Sequence, residues 1–65
     1  MKKKELKNFA AKIAKLEKTI QSTTDAEVKK KAEIEIMKIS TGIGNFEDLI
    51  AIDELVMEML KNGEI

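Results

Sequence analysis

The feature that most constrains the fold is the segment from residue 46 to 60, FEDLIAIDELVMEML. Plotted as a helix, its large apolar side chains cover an arc of roughly 220°, whereas one neighbouring helix usually covers roughly 100°. These side chains are Phe46, Leu49, Ile50, Ile52, Leu55, Val56, Met57, Met59 and Leu60. The helix is therefore expected either to pack between two elements or to offer a surface to another chain.

This apolar arc divides into two predicted faces. Leu49, Val56 and Leu60 are assigned to the protein's own core. The predicted partner-binding residues are Ile50, Ile52, Leu55, Met57 and Met59, together with Asp53. Asp53 is the charged residue inside the arc, and two interpretations of it stay open. It pairs with a lysine of the first helix, or it fixes register and partner choice at an interface.

Two further amphipathic helices precede this segment. From Leu6, apolar residues recur at spacings of three and four through Phe9, Ile13, Leu16 and Ile20, the pattern of a helix that meets another helix in a coiled coil. The run is short for an isolated coiled coil, so it is expected to pack on the chain's own next helix. The second helix has one stripe at Val28, Ala32, Ile36 and Ile39, while Ile34 and Met37 point to another side. It is therefore predicted to be the middle helix.

The helix boundaries are predicted from capping residues and glycines. Thr24 and Glu27 have the spacing of a capping box, although a continuous first and second helix stays an alternative because neither Gly nor Pro separates them. Gly42 and Gly44 are expected to end the second helix, and Asn45 to cap the third. The predicted helices cover about 3–21, 25–40 and 46–61.

These elements predict an all-α fold in one domain, 1–65: an antiparallel helical hairpin plus a third helix, forming a small three-helix bundle. A chain of 65 residues is only marginally able to build a sufficient core. It has no Cys, His or Pro, so disulfides, structural zinc and rigid turns cannot supplement that core. We therefore expect the bundle to be completed by oligomerisation or by a partner.

Charge is distributed unevenly along the chain. Residues 1–31 contain ten lysines and four acids, a net charge of +6, and residues 32–65 have a net charge of −6. The two halves are expected to complement each other within one bundle. The alternative is that Lys2, Lys3, Lys4 and Lys7 contact nucleic acid in an RNA- or ribosome-associated protein. Every basic residue is lysine and there are two aromatic residues, which weakens that alternative.

Enzymatic chemistry is not expected. The chain has no His, Cys or Tyr to share acid–base or nucleophilic work with its carboxylates and lysines. The Gly42–Ile43–Gly44 sequence lacks the third glycine and the preceding strand of a dinucleotide-binding loop, and no segment has the spacing of a calcium loop. No catalytic residue, cofactor or metal is therefore predicted.

The function that the sequence favours is a small protein-protein interaction module, either a homo-oligomer or an accessory subunit that docks its third helix on a partner. The N-terminal region has lysines but no apolar segment typical of a secretory signal, and the longest apolar run is far shorter than the ~20 residues that span a bilayer. An intracellular, cytoplasmic protein is expected.

Overall fold

The computed structural model describes residues 1–63, which form three helices: α1 (Lys3–Ser22), α2 (Ala26–Ile43) and α3 (Phe46–Asn62). The predicted all-helical fold is therefore confirmed over the described residues. The Cα radius of gyration is 11.7 Å, close to the ~11 Å expected of a globular chain of this length.

The break between α1 and α2 is made by Thr23, Thr24 and Asp25, so the alternative of one continuous helix is wrong. The N-cap of α2 is Asp25, whose side chain accepts hydrogen bonds from the backbone N–H groups of Glu27 (2.9 Å) and Val28 (3.5 Å). The predicted Thr24 capping box is therefore wrong by one residue. A carboxylate at this position satisfies two otherwise unpaired amides at the positive end of the helix dipole.

The junction between α2 and α3 lies three residues beyond the predicted end of the second helix. Gly42 stays helical, α2 ends at Ile43, and its C-cap Gly44 has the left-handed conformation (φ 68°). Asn45 caps α3 as predicted, since its Oδ1 accepts a hydrogen bond of 3.2 Å from the Asp48 N–H. A glycine in the last turn is only mildly unfavourable to a helix, so the left-handed residue decides where the helix ends.

The middle helix is α1, not α2 as predicted. α1 packs against both α2 and α3, whereas α2 and α3 touch each other little. The reason lies in Ala10 and Ala14, which are fully buried and let a neighbouring helix approach closely. At about 100° per residue, the apolar face from Leu16 round to Ala14 covers roughly 160°, enough for two neighbours.

The core lies mainly between α1 and α3. Its buried residues are Ala10, Ile13 and Ala14 of α1 and Ile52, Val56 and Met59 of α3. The one buried residue of α2 is Ala32, while Ile36, Ile39 and Ile43 are partly buried against the core. This core is small, and it leaves one whole side of α2 and one of α3 facing solvent.

Candidate protein-binding surface

An apolar stripe on α3 lies outside the core. Phe46, Ile50, Asp53 and Met57 are spaced by four, three and four residues, which places them within about 60° of one another around the helix. Phe46 is 74% exposed, Met57 71% and Ile50 45%, and Asp53 is exposed as well. We call these four residues the α3 stripe. Three large apolar side chains on one helix face are the pattern that a second helix usually covers.

Half of the predicted partner-binding residues lie elsewhere. Ile52 is 1% exposed and Met59 6%, and Leu55 is partly buried against the same cluster. The structure therefore places these three in the core of the isolated chain rather than on the predicted contact face. The physical reason is that Ile52, Val56 and Met59 form the stripe that meets the small Ala10–Ala14 side of α1.

The predicted core residues are found on the core side, although not all deeply. Val56 is buried, Leu60 is partly buried against the core cluster, and Leu49 is of intermediate exposure. Periodicity alone assigned the α3 arc to two faces but did not place the boundary between them correctly.

Phe46 is the exposed large apolar residue of α3 that was not predicted to be a contact residue. It is the first residue of α3 and the most exposed large hydrophobic side chain of the described residues. Its spacing from Ile50, Asp53 and Met57 is the signal that could have identified it. A depression of about 380 Å³ adjoins this end of the stripe, lined by Ile13, Ser40, Phe46, Leu49, Ile50, Ile52 and Asp53.

Asp53 forms no salt bridge with any of the described residues, so the expected pairing with a lysine of α1 is not observed. The α-amino group of Met1 instead lies 3.7 Å from Asp48 Oδ2. Asp53 therefore stands in the middle of the α3 stripe as a solvated charge.

A second exposed apolar stripe runs along α2. Ile34 is 43% exposed and Met37 67%, and Thr41 continues the spacing of three and four residues on the same side. We call Ile34, Met37 and Thr41 the α2 stripe. A depression of about 470 Å³ lies beside it, lined by Ile34, Met37, Lys38, Thr41 and Gly42. The sequence predicts that Ile34 and Met37 lie on a separate side of the second helix, and α3 does not cover that side.

The lysines proposed for nucleic acid contact are all exposed: Lys2, Lys3, Lys4 and Lys7. Lys4 and Lys7 belong to a longer row that continues through Lys15 and Lys18 on the side of α1 opposite Ile13. That row contains no acidic residue. Lys7 also lies beside Glu58, since both line the shallow groove between α1 and α3.

The polar and charged side chains of the described residues all lie at or near the surface. Residues 1–63 contain no buried polar or charged side chain and no group of three or more acidic side chains placed to hold a metal ion. None of the helices within these residues has the length and apolar character needed to cross a membrane.

Comparison with known proteins finds no family model, no curated protein and no solved structure that matches this chain.

Proposed function

We propose that this chain is a small non-enzymatic protein-protein interaction module that docks its third helix, through the α3 stripe, on another protein surface. The observation that carries the proposal is the exposure of Phe46, Ile50 and Met57 on one face of a well-capped helix. Exposed apolar residues are ordinary when scattered, but several large ones on one helix face are typical of an interface.

The magnitude of the available burial indicates a weak affinity for the α3 stripe alone. Fully burying a Phe, Ile or Met side chain contributes roughly 1.5–3 kcal/mol each. Because Phe46, Ile50 and Met57 are 74%, 45% and 71% exposed, covering what remains exposed gives about 3–6 kcal/mol. Association costs about 4–15 kcal/mol in lost translational and rotational freedom. The α3 stripe alone would therefore support only weak binding, and a stable complex needs additional contacts.

Substitutions in the stripe test this proposal. Phe46→Ser combined with Met57→Ser removes most of the exposed apolar area without touching the core, so helicity by circular dichroism should be unchanged. Asn8→Ser on the exposed side of α1 is the matched control. Sedimentation velocity from about 1 to 200 µM measures self-association, and a pull-down with intact chain as bait identifies other partners.

The expected result is that wild type and Asn8→Ser share the same association or partner, and that the double variant loses it. The proposal is overturned if the wild-type chain stays monomeric and the double variant captures every protein that the wild-type chain captures. Charged substitutions at Leu55 or Met59 are unsuitable for this test, because these side chains lie in the core.

The row of lysines on α1 supports a second candidate function, binding of RNA through the basic N-terminal half. Replacing Lys2, Lys3 and Lys4 by alanine should then lower the slope of log affinity against log salt by about 2 for single-stranded RNA, given about 0.7 per phosphate contact. Fluorescence anisotropy with a labelled RNA between about 50 and 200 mM salt measures this slope. An affinity that does not change with salt would exclude this function.

A further inference from the structure

We propose that the surface that receives the α3 stripe is the α2 stripe of a second copy of this chain. This inference rests on the proposed function and names its partner. It arises from a property of the described structure: each molecule exposes two apolar helix faces, at Phe46–Met57 and at Ile34–Thr41, and neither covers the other.

Charge complementarity favours this pairing. The α3 stripe contains Asp53, and the acids on one of its sides are Glu47, Glu54 and Glu58, accompanied by Lys61. The border of the α2 stripe has a net positive charge instead. Lys30, Lys31 and Lys38 project within about 60° of Ile34, against two acids, Glu27 beside Ile34 and Glu33 beside Met37. Opposite charges at the border of an apolar contact steer association and fix its register.

The same charges disfavour the alternative in which α3 pairs with α3. That arrangement would bring the acidic sides of two stripes together and place both Asp53 carboxylates in an apolar contact without a cation. An unpaired charge taken out of water is costly. Pairing with α2 instead gives Asp53 a lysine partner, for which Lys38 is the natural candidate because it projects beside Ile34 and Thr41 and lines the adjoining depression.

The α2 stripe is shorter than the α3 stripe, and a depression lies beside it. Phe46 to Met57 spans eleven residue steps, about 17 Å of helix at 1.5 Å per residue, and Ile34 to Thr41 spans seven steps, about 11 Å. The surface at Gly42, beside the α2 stripe, is unobstructed, because a Cβ atom placed on Gly42 would have no neighbouring atom within 4 Å. A side chain of the incoming α3 therefore finds free space at Gly42, in the depression beside the α2 stripe.

Because each copy carries one stripe of each kind, a two-fold pair would form the contact twice. This doubling supplies the additional burial that the α3 stripe alone lacks. It also agrees with the small core, since the burial missing from the isolated chain is found between copies.

A charge-swap experiment tests the pairing. Asp53→Lys places a cation opposite the lysines of α2. Lys38→Glu places an acid opposite the acidic residues of α3. Both positions are exposed, so the fold should be retained. Each variant alone should raise the dissociation constant for self-association roughly tenfold, as expected when an ion pair becomes a like-charge pair. An equimolar mixture of the two variants should regain association, because the lysine introduced in one chain then faces the glutamate introduced in the other.

Single-cysteine variants provide an independent measurement, since the chain has no native cysteine. Under mild oxidation, a mixture of Met57→Cys and Met37→Cys should give the mixed disulfide as the main product. Each variant alone should give little of its own disulfide-linked pair.

The outcomes separate this inference from the proposed function. A wild-type chain that is monomeric at about 200 µM overturns self-pairing, and the proposed function stands if Phe46→Ser/Met57→Ser still abolishes binding to a different protein. Self-association that is unaffected by both charge reversals, or preferential disulfide formation between two Met57→Cys chains, overturns the α2–α3 assignment.

Discussion

Replacing Ile52 by alanine is expected to destabilise this protein more than any other single truncation on α3. Ile52 is the largest fully buried side chain of the described residues, and it packs in the cluster formed by α1 and α3. The substitution removes three carbon atoms, worth about 0.8 kcal/mol each in transfer free energy, or about 2.4 kcal/mol. The cavity that remains raises the expected cost to about 3–4 kcal/mol.

This loss is large for a chain of 65 residues, whose total stability is expected to be about 3–10 kcal/mol. Ile52→Val is therefore the milder substitution to compare, and it is expected to lower the free energy of unfolding by about 0.5–1.5 kcal/mol. Met57→Ala is the control on the same helix, because its side chain is 71% exposed and such substitutions usually change stability by less than about 0.5 kcal/mol.

The assay is urea unfolding followed by circular dichroism at 222 nm, at a protein concentration where the midpoint no longer depends on concentration. This condition separates folding of the chain from any self-association. The assignment of Ile52 to the core is refuted if Ile52→Ala lowers the free energy of unfolding by less than about 1 kcal/mol while Met57→Ala lowers it by more. The buried and exposed faces of α3 would then be exchanged.

Three further predictions concern the helix ends and the α1 packing face, and each is checked by the same unfolding assay. Asp25→Ala should cost about 0.5–2 kcal/mol through loss of the N-cap, whereas Thr24→Ala should have little effect; a larger effect at Thr24 would restore the capping box that the sequence suggested. Gly42→Ala should stabilise the chain by about 0.5–1 kcal/mol, because Gly42 is helical and has room for a Cβ. Gly44→Ala should destabilise it by at least about 1 kcal/mol, because Gly44 has a positive φ. Equal effects of the two substitutions would contradict the assigned end of α2. Ala14→Leu should cost about 1–3 kcal/mol, since Ala14 is fully buried, and a neutral result would show that α3 does not approach α1 closely.

The helices and several of their ends could be predicted from the sequence because they depend on local interactions. Apolar spacing identified three helices, Asn45 was correctly expected to cap α3, and Gly63 ends it in the left-handed conformation. The predicted N-cap at Thr24 and the predicted end of the second helix at residue 40 were wrong because, at each helix end, two nearby residues of similar type could serve as the cap. Asp25 then provides the better acceptor for two amides, and Gly44 rather than Gly42 takes the positive φ.

The candidate surface was predicted only in part. Ile50, Met57 and Asp53 were expected to be available for contact and are exposed, whereas Ile52, Leu55 and Met59 were assigned to the same face and lie in the core. A helical projection gives the angle between side chains but not the direction from which a neighbour arrives. That direction is set by Ala10 and Ala14, whose small size lets α3 pack closely against α1.

The sequence by itself therefore determined that this protein is helical, where its three helices lie, and that the third has more apolar surface than one neighbour covers. The tertiary structure decided that α1 is the middle helix and which stripe of α3 is buried, and hence that Phe46 belongs to the exposed surface. The physical reason is that helix formation depends on residues within one or two turns. Packing depends on the shapes of surfaces that are distant in sequence, and periodicity does not record those shapes.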